Sequence, residues 1–169
     1  MRLITSLLIA LLLAGCSSGS PPSTVRMPDG VREHAYVMDV ETVDDGSYVV
    51  TVDRAQFLTG EAANQAAVED GFINEGETVP GGYYIVNETS ELEELRLDPD
   101  APVVLNVCLD DGECDVPAGV SVGLWVDMLN GDIPDGQLDG FKWYVGGNLP
   151  YALILEGETI VGIEEQYLP

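Results

Sequence analysis

The chain has 169 residues, with 30 acidic and six basic side chains and a formal net charge of −24 at pH 7. This charge excludes nucleic acid as a partner, because nucleic-acid binding needs basic side chains that displace counterions from phosphates. It also excludes binding to anionic lipid headgroups through the protein surface. Apolar residues make up 46% of the chain, which is enough to predict one folded domain.

The first 15 residues have the pattern of a secretory signal peptide. Arg2 supplies a positive charge, and an apolar run follows from Leu3 to Leu13 before a short stretch of small residues. The run is too short for an ordinary transmembrane helix. We therefore expect residues 1–15 to be removed as the protein leaves the cytoplasm.

The segment Leu13-Ala14-Gly15-Cys16 resembles the lipobox of bacterial lipoproteins. The resemblance implies a diacylglycerol on the Cys16 sulfur, cleavage before Cys16, and usually a third acyl chain on the new amino group. Two or more acyl chains give stable anchoring. The expected location is the extracytoplasmic face of the cell membrane or the outer envelope.

Small polar residues and prolines fill the stretch after Cys16, which is the composition of a flexible to semi-extended linker. The sequence therefore predicts a tether over residues 16–34 and a single globular domain over residues 35–169.

The first half of that domain predicts a hairpin, a helix and a strand. Apolar and polar residues alternate along Ala35–Glu41 and Tyr48–Asp53, which predicts two paired strands around an Asp-Gly turn. Thr59 is a predicted N-cap, and Gly71 is predicted to end the short alanine-rich helix that follows. Tyr83–Asn87 is a predicted strand.

The second half predicts more strands and a second helix. Ser90–Glu94 has the residues of a capped helical turn. The predicted strands are Val103–Cys108, Phe141–Val145, Pro150–Leu155 and Thr159–Glu164, and the predicted helix is Val116–Asn130. The expected fold is α+β, with a mostly antiparallel sheet curved into a small barrel or an open curved sheet, and two or three short helices.

Three segments carry a second resemblance, namely Val52–Ala62, Gly82–Asn87 and Glu164–Pro169. They resemble a group of uncharacterised, mostly actinobacterial secreted proteins and lipoproteins, over about residues 36–169. The resemblance implies a single domain. It brings no established activity, so it implies no site residue.

The remaining two cysteines, Cys108 and Cys114, flank an Asp-Asp-Gly turn. In an oxidising compartment we expect them to form a disulfide, because secreted chains rarely keep two nearby thiols reduced. A loop this short contributes roughly 2 kcal/mol at most in the chain-entropy model, so the bridge shapes the loop more than it stabilises the fold. No C-x-x-C motif points to a redox role.

Two acidic clusters are candidate cation sites, one with Asp110 and Asp111 and one with Asp132 and Asp135. An EF-hand reading of the second cluster fails, because Pro134 stands where an oxygen ligand is required. Weak calcium binding and a solvated, turn-rich loop both remain open. The acids are spread along the whole chain, so adaptation to high salt competes with a local cation site as the reason for the charge.

Catalytic patterns are weak. Ser121 lies in a G-x-S-x-G stretch, but a nucleophile elbow needs a later histidine, and His34 precedes Ser121 and is expected to be exposed at the domain edge. A catalytic dyad of Ser121 with Lys142 is conceivable. However, Lys142 lies between two aromatic residues that are expected in the core, so its side chain is expected to point to solvent. Because Tyr83 and Tyr84 are neighbours in a predicted strand, one ring is expected to point inward and the other outward.

The sequence therefore predicts a lipid-anchored, non-enzymatic binding or structural module at the cell envelope, with no cofactor and no assigned catalytic residue. Its partner would be an envelope protein or polysaccharide. A carboxylate-based hydrolase or enzyme accessory that acts on envelope polysaccharide is the first alternative. A surface module that binds a divalent cation weakly is the second.

Overall fold

The computed structural model describes residues 25–44, 46–109, 116–132, 141–142 and 150–166. Within these ranges strands dominate, and two short α-helices interrupt them. The strands are β1 (Val31–Thr42), β2 (Tyr48–Thr59), β3 (Tyr83–Val86), β4 (Leu92–Leu97), β5 (Val103–Leu109), β6 (Val116–Val120), β7 (Phe141–Lys142), β8 (Tyr151–Glu156) and β9 (Thr159–Glu165). The helices are α1 (Gly60–Glu69) and α2 (Val122–Leu129), and a single 3₁₀ turn covers Pro80–Gly82.

Five of the strands are paired in a closed ring. Strand β1 pairs antiparallel with β2 and β8, β8 pairs antiparallel with β9, β2 pairs antiparallel with β4, and β4 runs parallel to β9. Strand β5 continues along β9 in parallel, and β6 pairs antiparallel with β5. The result is a ring-like, mostly antiparallel curved sheet with two helices, which confirms the predicted α+β class.

Two register shifts contribute to the curvature. One lies between Val37 and Asp39 in β1, and the other lies between Ile154 and Leu155 in β8. An extra residue on one strand bends that strand and increases its twist. The bulges therefore help the sheet to close on itself.

The main core fills the inside of this curved sheet. Val103, Leu105 and Val107 alternate along β5 and are buried, as the strand period requires. Helix α2 closes the core with Trp125, which is fully buried and meets the ring of Tyr151 edge-on at a centroid distance of 5.7 Å. Burial of such large apolar surfaces is the main favourable term in the folding of this domain.

Helix α1 matches its prediction closely. It begins directly after Thr59, although the Thr59 side chain makes no capping hydrogen bond. Gly71 follows the helix with φ +71°, a left-handed conformation that glycine adopts without steric cost. The predicted stop signal is therefore used.

Two sequence predictions are wrong because tertiary pairing overrides local propensity. The predicted helical turn at Ser90–Glu94 leads instead into β4, where Leu95 and Leu97 are buried against the core. The predicted helix over Val116–Asn130 begins only at Val122, because the first five residues of that stretch form β6 against β5. Pro117 cannot donate a helical hydrogen bond, which favours the edge strand.

The domain also begins earlier than the predicted boundary. Strand β1 starts at Val31, inside the range assigned to the tether. The N-terminal segment before it (residues 25–30) crosses over two glycines. A Cβ on Gly162 of β9 would lie 2.9 Å from Met27 Cε, and a Cβ on Gly119 of β6 would collide with Val25. The two glycines therefore leave room for this segment against the sheet.

Candidate functional site

A groove opens where β1 and β2 separate. Their ladder ends at the pair His34–Ala55. Before His34, strand β1 pairs only with β8, and after Ala55, strand β2 pairs only with β3 among the residues that the structure describes. The gap between the two strands forms the β1–β2 groove, with a volume of about 530 Å³. Its floor is Arg54–Leu58, and its walls are Arg32–His34 on one side and Val86, Glu88 and Thr89 on the other.

A second small core explains why the strands separate. Ala63 and Ala67 of α1 are buried together with Val79, and Leu58 of β2 and Tyr84 of β3 pack against them. The end of β2 is thereby held against α1, whereas the start of β1 is held by its ladder with β8. The groove is thus a consequence of two separate cores that share one strand.

A row of three aromatic rings lies on the face of these strands that points away from α1. Phe57 alternates with Leu58 and therefore points away from α1. Its ring lies 5.3 Å from the ring of His34 on β1 and 5.5 Å from the ring of Tyr83 on β3. All three side chains are half-buried. The opposite orientation of Tyr83 and Tyr84 confirms the predicted inward and outward pair, since Tyr84 packs on α1 and contacts the exposed ring of Phe72.

Two arginines contribute positive charge to the groove, and both are held by glutamates. Arg54 forms an ion pair with Glu33, and its Nε donates to Glu93 Oε2 over 2.6 Å. This hydrogen bond lowers the pKa of Glu93. Arg32 forms an ion pair with Glu164. The arginine side chains in these pairs are 46% and 41% exposed, and exposed pairs of this kind add little stability.

The environment of His34 moves the pKa of its imidazole toward the neutral form. Its Nε2 lies 3.3 Å from Oε1 of Gln166. Burial lowers the pKa of His34, and the contact with Gln166 partly opposes this effect. The sequence predicts an exposed residue at the domain edge, whereas the structure places a half-buried ring inside the groove. At pH 7 the imidazole is therefore a neutral contact surface.

The catalytic candidates do not meet in this groove. Ser121 lies between β6 and α2, where its Oγ accepts a hydrogen bond from the Leu124 backbone N–H at 3.2 Å. It caps a helix that follows an edge strand of an antiparallel pair, which is a structural role. Lys142 belongs to β7, which pairs with β5 at Cys108. The described groove lining includes neither serine nor cysteine.

Most of the predicted cation ligands and cysteines lie outside the described residues, namely Cys16, Asp110, Asp111, Cys114 and Asp135. Asp132 is described and exposed, just beyond α2, and its backbone N–H donates to the Asp127 carbonyl at 2.8 Å. Among the described residues, no group of three or more acidic, histidine or cysteine side chains is arranged to hold a metal ion. Cys108 lies in β5, and its pairing with Cys114 stays a prediction.

Sequence reasoning also missed a buried carboxylate. Glu165 at the end of β9 accepts a hydrogen bond from the Asn106 backbone N–H at 2.7 Å, and its carbonyl accepts one from Asn106 Nδ2 at 3.1 Å. These bonds fasten β9 to β5. Burial raises the pKa of the neighbouring Tyr151 to about 12, with the charge of Glu165 adding to the rise. The two-residue period of the strand was the available signal, because Glu165 follows buried Ile163 by two residues and shares its face of β9.

Neither helix in the described ranges combines the length and the apolar character needed to cross a membrane. Comparisons of the chain with protein-family models, with curated proteins and with solved structures find no match. The site must therefore be interpreted from its own chemistry.

Proposed function

We propose that this protein is a lipid-anchored, extracytoplasmic binding module that holds its ligand in the β1–β2 groove. The groove itself is the observation that carries the proposal. Its volume of about 530 Å³ falls in the range of ligand sites, and it combines aromatic surface with a few oriented charged groups. An envelope protein or polysaccharide is the proposed partner.

The packing inside the groove supports binding better than catalysis. Arg32 and Arg54 are held by ion pairs, and the ring of His34 is fixed between Phe57 and Gln166. A site whose side chains are already ordered loses little entropy when a ligand enters. The groove is therefore suited to hold a ligand in one orientation.

The path of the N-terminal segment supports the anchored arrangement. Val25 packs at Gly119 of β6, so the N-terminal segment lies against the sheet before β1 begins. Eight residues, 17–24, separate the lipidation site Cys16 from Val25. A fully extended chain of that length spans about 30 Å at most. The anchor would thus keep the domain close to the membrane.

The anchor is tested by labelling cells with radioactive palmitate. Wild-type protein is expected to incorporate label and to sediment with membranes. Cys16→Ala is expected to lose both properties, because the acylated sulfur is gone, whereas the neighbouring Ser17→Ala control keeps them. A wild-type protein without label would refute the anchor.

The groove is tested with purified envelope polysaccharide and with soluble peptides as probes. Phe57→Ala is expected to weaken binding at least fivefold, because Phe57 is the central ring of the row. Phe72→Ala is the matched control, since Phe72 is 62% exposed and lies outside the groove. Equal binding by the two variants would refute the site. Turnover of the polysaccharide that is lost in Glu33→Gln would favour the carboxylate-based hydrolase instead.

A further inference from the structure

We infer that the occupant of the β1–β2 groove is an extended, basic peptide segment that pairs with the free edge of β2 as an added strand. This inference rests on the proposed binding function and names the class of ligand. Three observations carry it, namely an unpaired strand edge, a groove volume that fits a short strand, and the negative net charge of the chain as a whole.

The unpaired edge follows from the ladder registers. Strand β2 is paired with β4 along one edge up to Asp53 and with β1 along the other edge up to Ala55. From Gln56 to Thr59 strand β3 takes the edge that β4 leaves, but within the described residues no strand replaces β1. Alternate residues of Gln56–Leu58 therefore direct backbone N–H and C=O groups into the groove. Such an edge is a ready template for an added strand.

The volume fits a short strand. Strands lie about 4.8 Å apart, rise about 3.3 Å per residue and need about 10 Å between faces, so one residue of an added strand occupies roughly 160 Å³. The 530 Å³ of the groove therefore holds about three residues. Of the free edge, the three residues Gln56–Leu58 line the groove.

The ring row gives this strand a place for one side chain. Successive side chains of an added strand point to opposite faces. One of them would lie on the face of Phe57, His34 and Tyr83, where aromatic surface is half-exposed. An apolar residue in the peptide would bury part of that surface.

Charge decides between the candidate occupants. The net charge of −24 attracts a basic peptide and repels an acidic one. It also opposes pairing with a second copy of the chain, because both copies carry the same charge. Within the groove, Glu88 makes no hydrogen bond or ion pair to any described residue, so it is available to a lysine or arginine of the peptide.

The test measures binding of fluorescent peptides to the purified full-length protein in detergent micelles at low salt. The probe is a short peptide of alternating valine and lysine. We expect it to bind, and we expect the same peptide with glutamate in place of lysine to bind at least tenfold more weakly. Raising the salt concentration is expected to weaken binding by the basic peptide, because screening removes the attraction.

Backbone methylation tests the strand pairing directly. N-methyl groups on alternate residues block the N–H groups of one edge of the peptide. One of the two alternate patterns is expected to abolish binding and the other to leave it within twofold. Equal binding by both methylated peptides would overturn the inference.

Protein variants locate the site. Glu88→Gln is expected to weaken binding of the basic peptide several-fold. Because Glu88 is exposed, the variant is expected to keep its fold. Glu77→Gln is the control, since Glu77 lines a separate acidic depression beside α1. A larger loss with Glu77→Gln than with Glu88→Gln would overturn the inference.

The outcomes separate this inference from the proposed function. If no peptide binds while polysaccharide binding is lost in Phe57→Ala, the inference fails and the proposed function stands. If neither probe binds, both fail. A concentration-dependent dimer that Phe57→Ala abolishes would assign the free edge to self-association and would also overturn the inference.

Discussion

Replacement of Gly30 by alanine tests how tightly β1 is seated on β8. A Cβ at this position would lie 2.7 Å from Ile154 Cγ2 and 2.9 Å from the Leu155 carbonyl oxygen. The tip of Ile154 can rotate away. The carbonyl of Leu155 cannot, because Leu155 is paired with Val31 in the β1–β8 ladder. Gly30→Ala must therefore shift the start of β1.

The expected loss follows from two opposing effects. Overpacking in a well-filled region costs about 1–3 kcal/mol. Alanine also restricts the unfolded chain, which returns about 0.4–1 kcal/mol. Gly30→Ala is therefore expected to lower the free energy of unfolding by about 1–2 kcal/mol. Gly123→Ala is the matched control. Its Cβ would meet only Tyr48 Oη at an ordinary 3.7 Å, and in α2 alanine is favoured over glycine by about 0.5–1 kcal/mol.

Urea unfolding followed by tryptophan fluorescence distinguishes the two variants. With a slope of about 1–3 kcal/mol per M, the unfolding midpoint of Gly30→Ala is expected to fall by roughly 0.5–1 M. The midpoint of Gly123→Ala is expected to rise slightly. If Gly30→Ala unfolds at the wild-type midpoint or above it, the close contact with β8 does not exist in solution and the account of this strand is wrong.

Three further predictions concern the core, the single histidine and the net charge. Trp125→Ala is expected to cost about 3–5 kcal/mol, because it empties the site of a fully buried side chain; a thermal midpoint within 2 °C of wild type would contradict this. NMR titration of His34 is expected to give a pKa below 6.5, because burial disfavours the charged form. The folded chain then binds this proton less readily than the unfolded chain, so the stabilising contribution of His34 is complete above pH 6.5 and is lost as the pH falls through the folded-state pKa. The difference in free energy of unfolding between wild type and His34→Gln should accordingly shrink from pH 7.5 to 5, and a constant difference would contradict it. Molar NaCl is expected to raise the melting temperature, because it screens the repulsion within a chain of net charge −24; a melting temperature that does not change with salt would contradict this reasoning.

The sequence by itself was sufficient where one local signal matched the final environment. Helix α1 could be predicted because its alanines, its first-turn Glu61 and the stop at Gly71 all favour the same element. The first hairpin and β8–β9 could be predicted from period-2 alternation around turns. The opposite faces of Tyr83 and Tyr84 follow from the same geometry, since successive side chains of any strand point to opposite sides.

Tertiary structure decided the elements whose local preferences are weak or conflicting. Leu92–Leu97 became a strand because β2 and β9 offered backbone partners and the core offered room for its leucines. Val116–Val120 became a strand because β5 had an open edge. Neither pairing could be predicted from the residues of the segment alone, because it depends on strands elsewhere in the chain.

The groove belongs wholly to the tertiary structure. His34, Phe57 and Glu88 are far apart in sequence and carry no shared motif, so no local pattern connects them. They meet because β2 is drawn toward α1 by one core while β1 is held to β8 by its ladder. Sequence determined the charge, the signal-like N-terminus and most of the strands, since these depend on composition and period. The site depends on the point at which β1 and β2 separate, because each is held by different neighbours. Only the folded chain specifies that point.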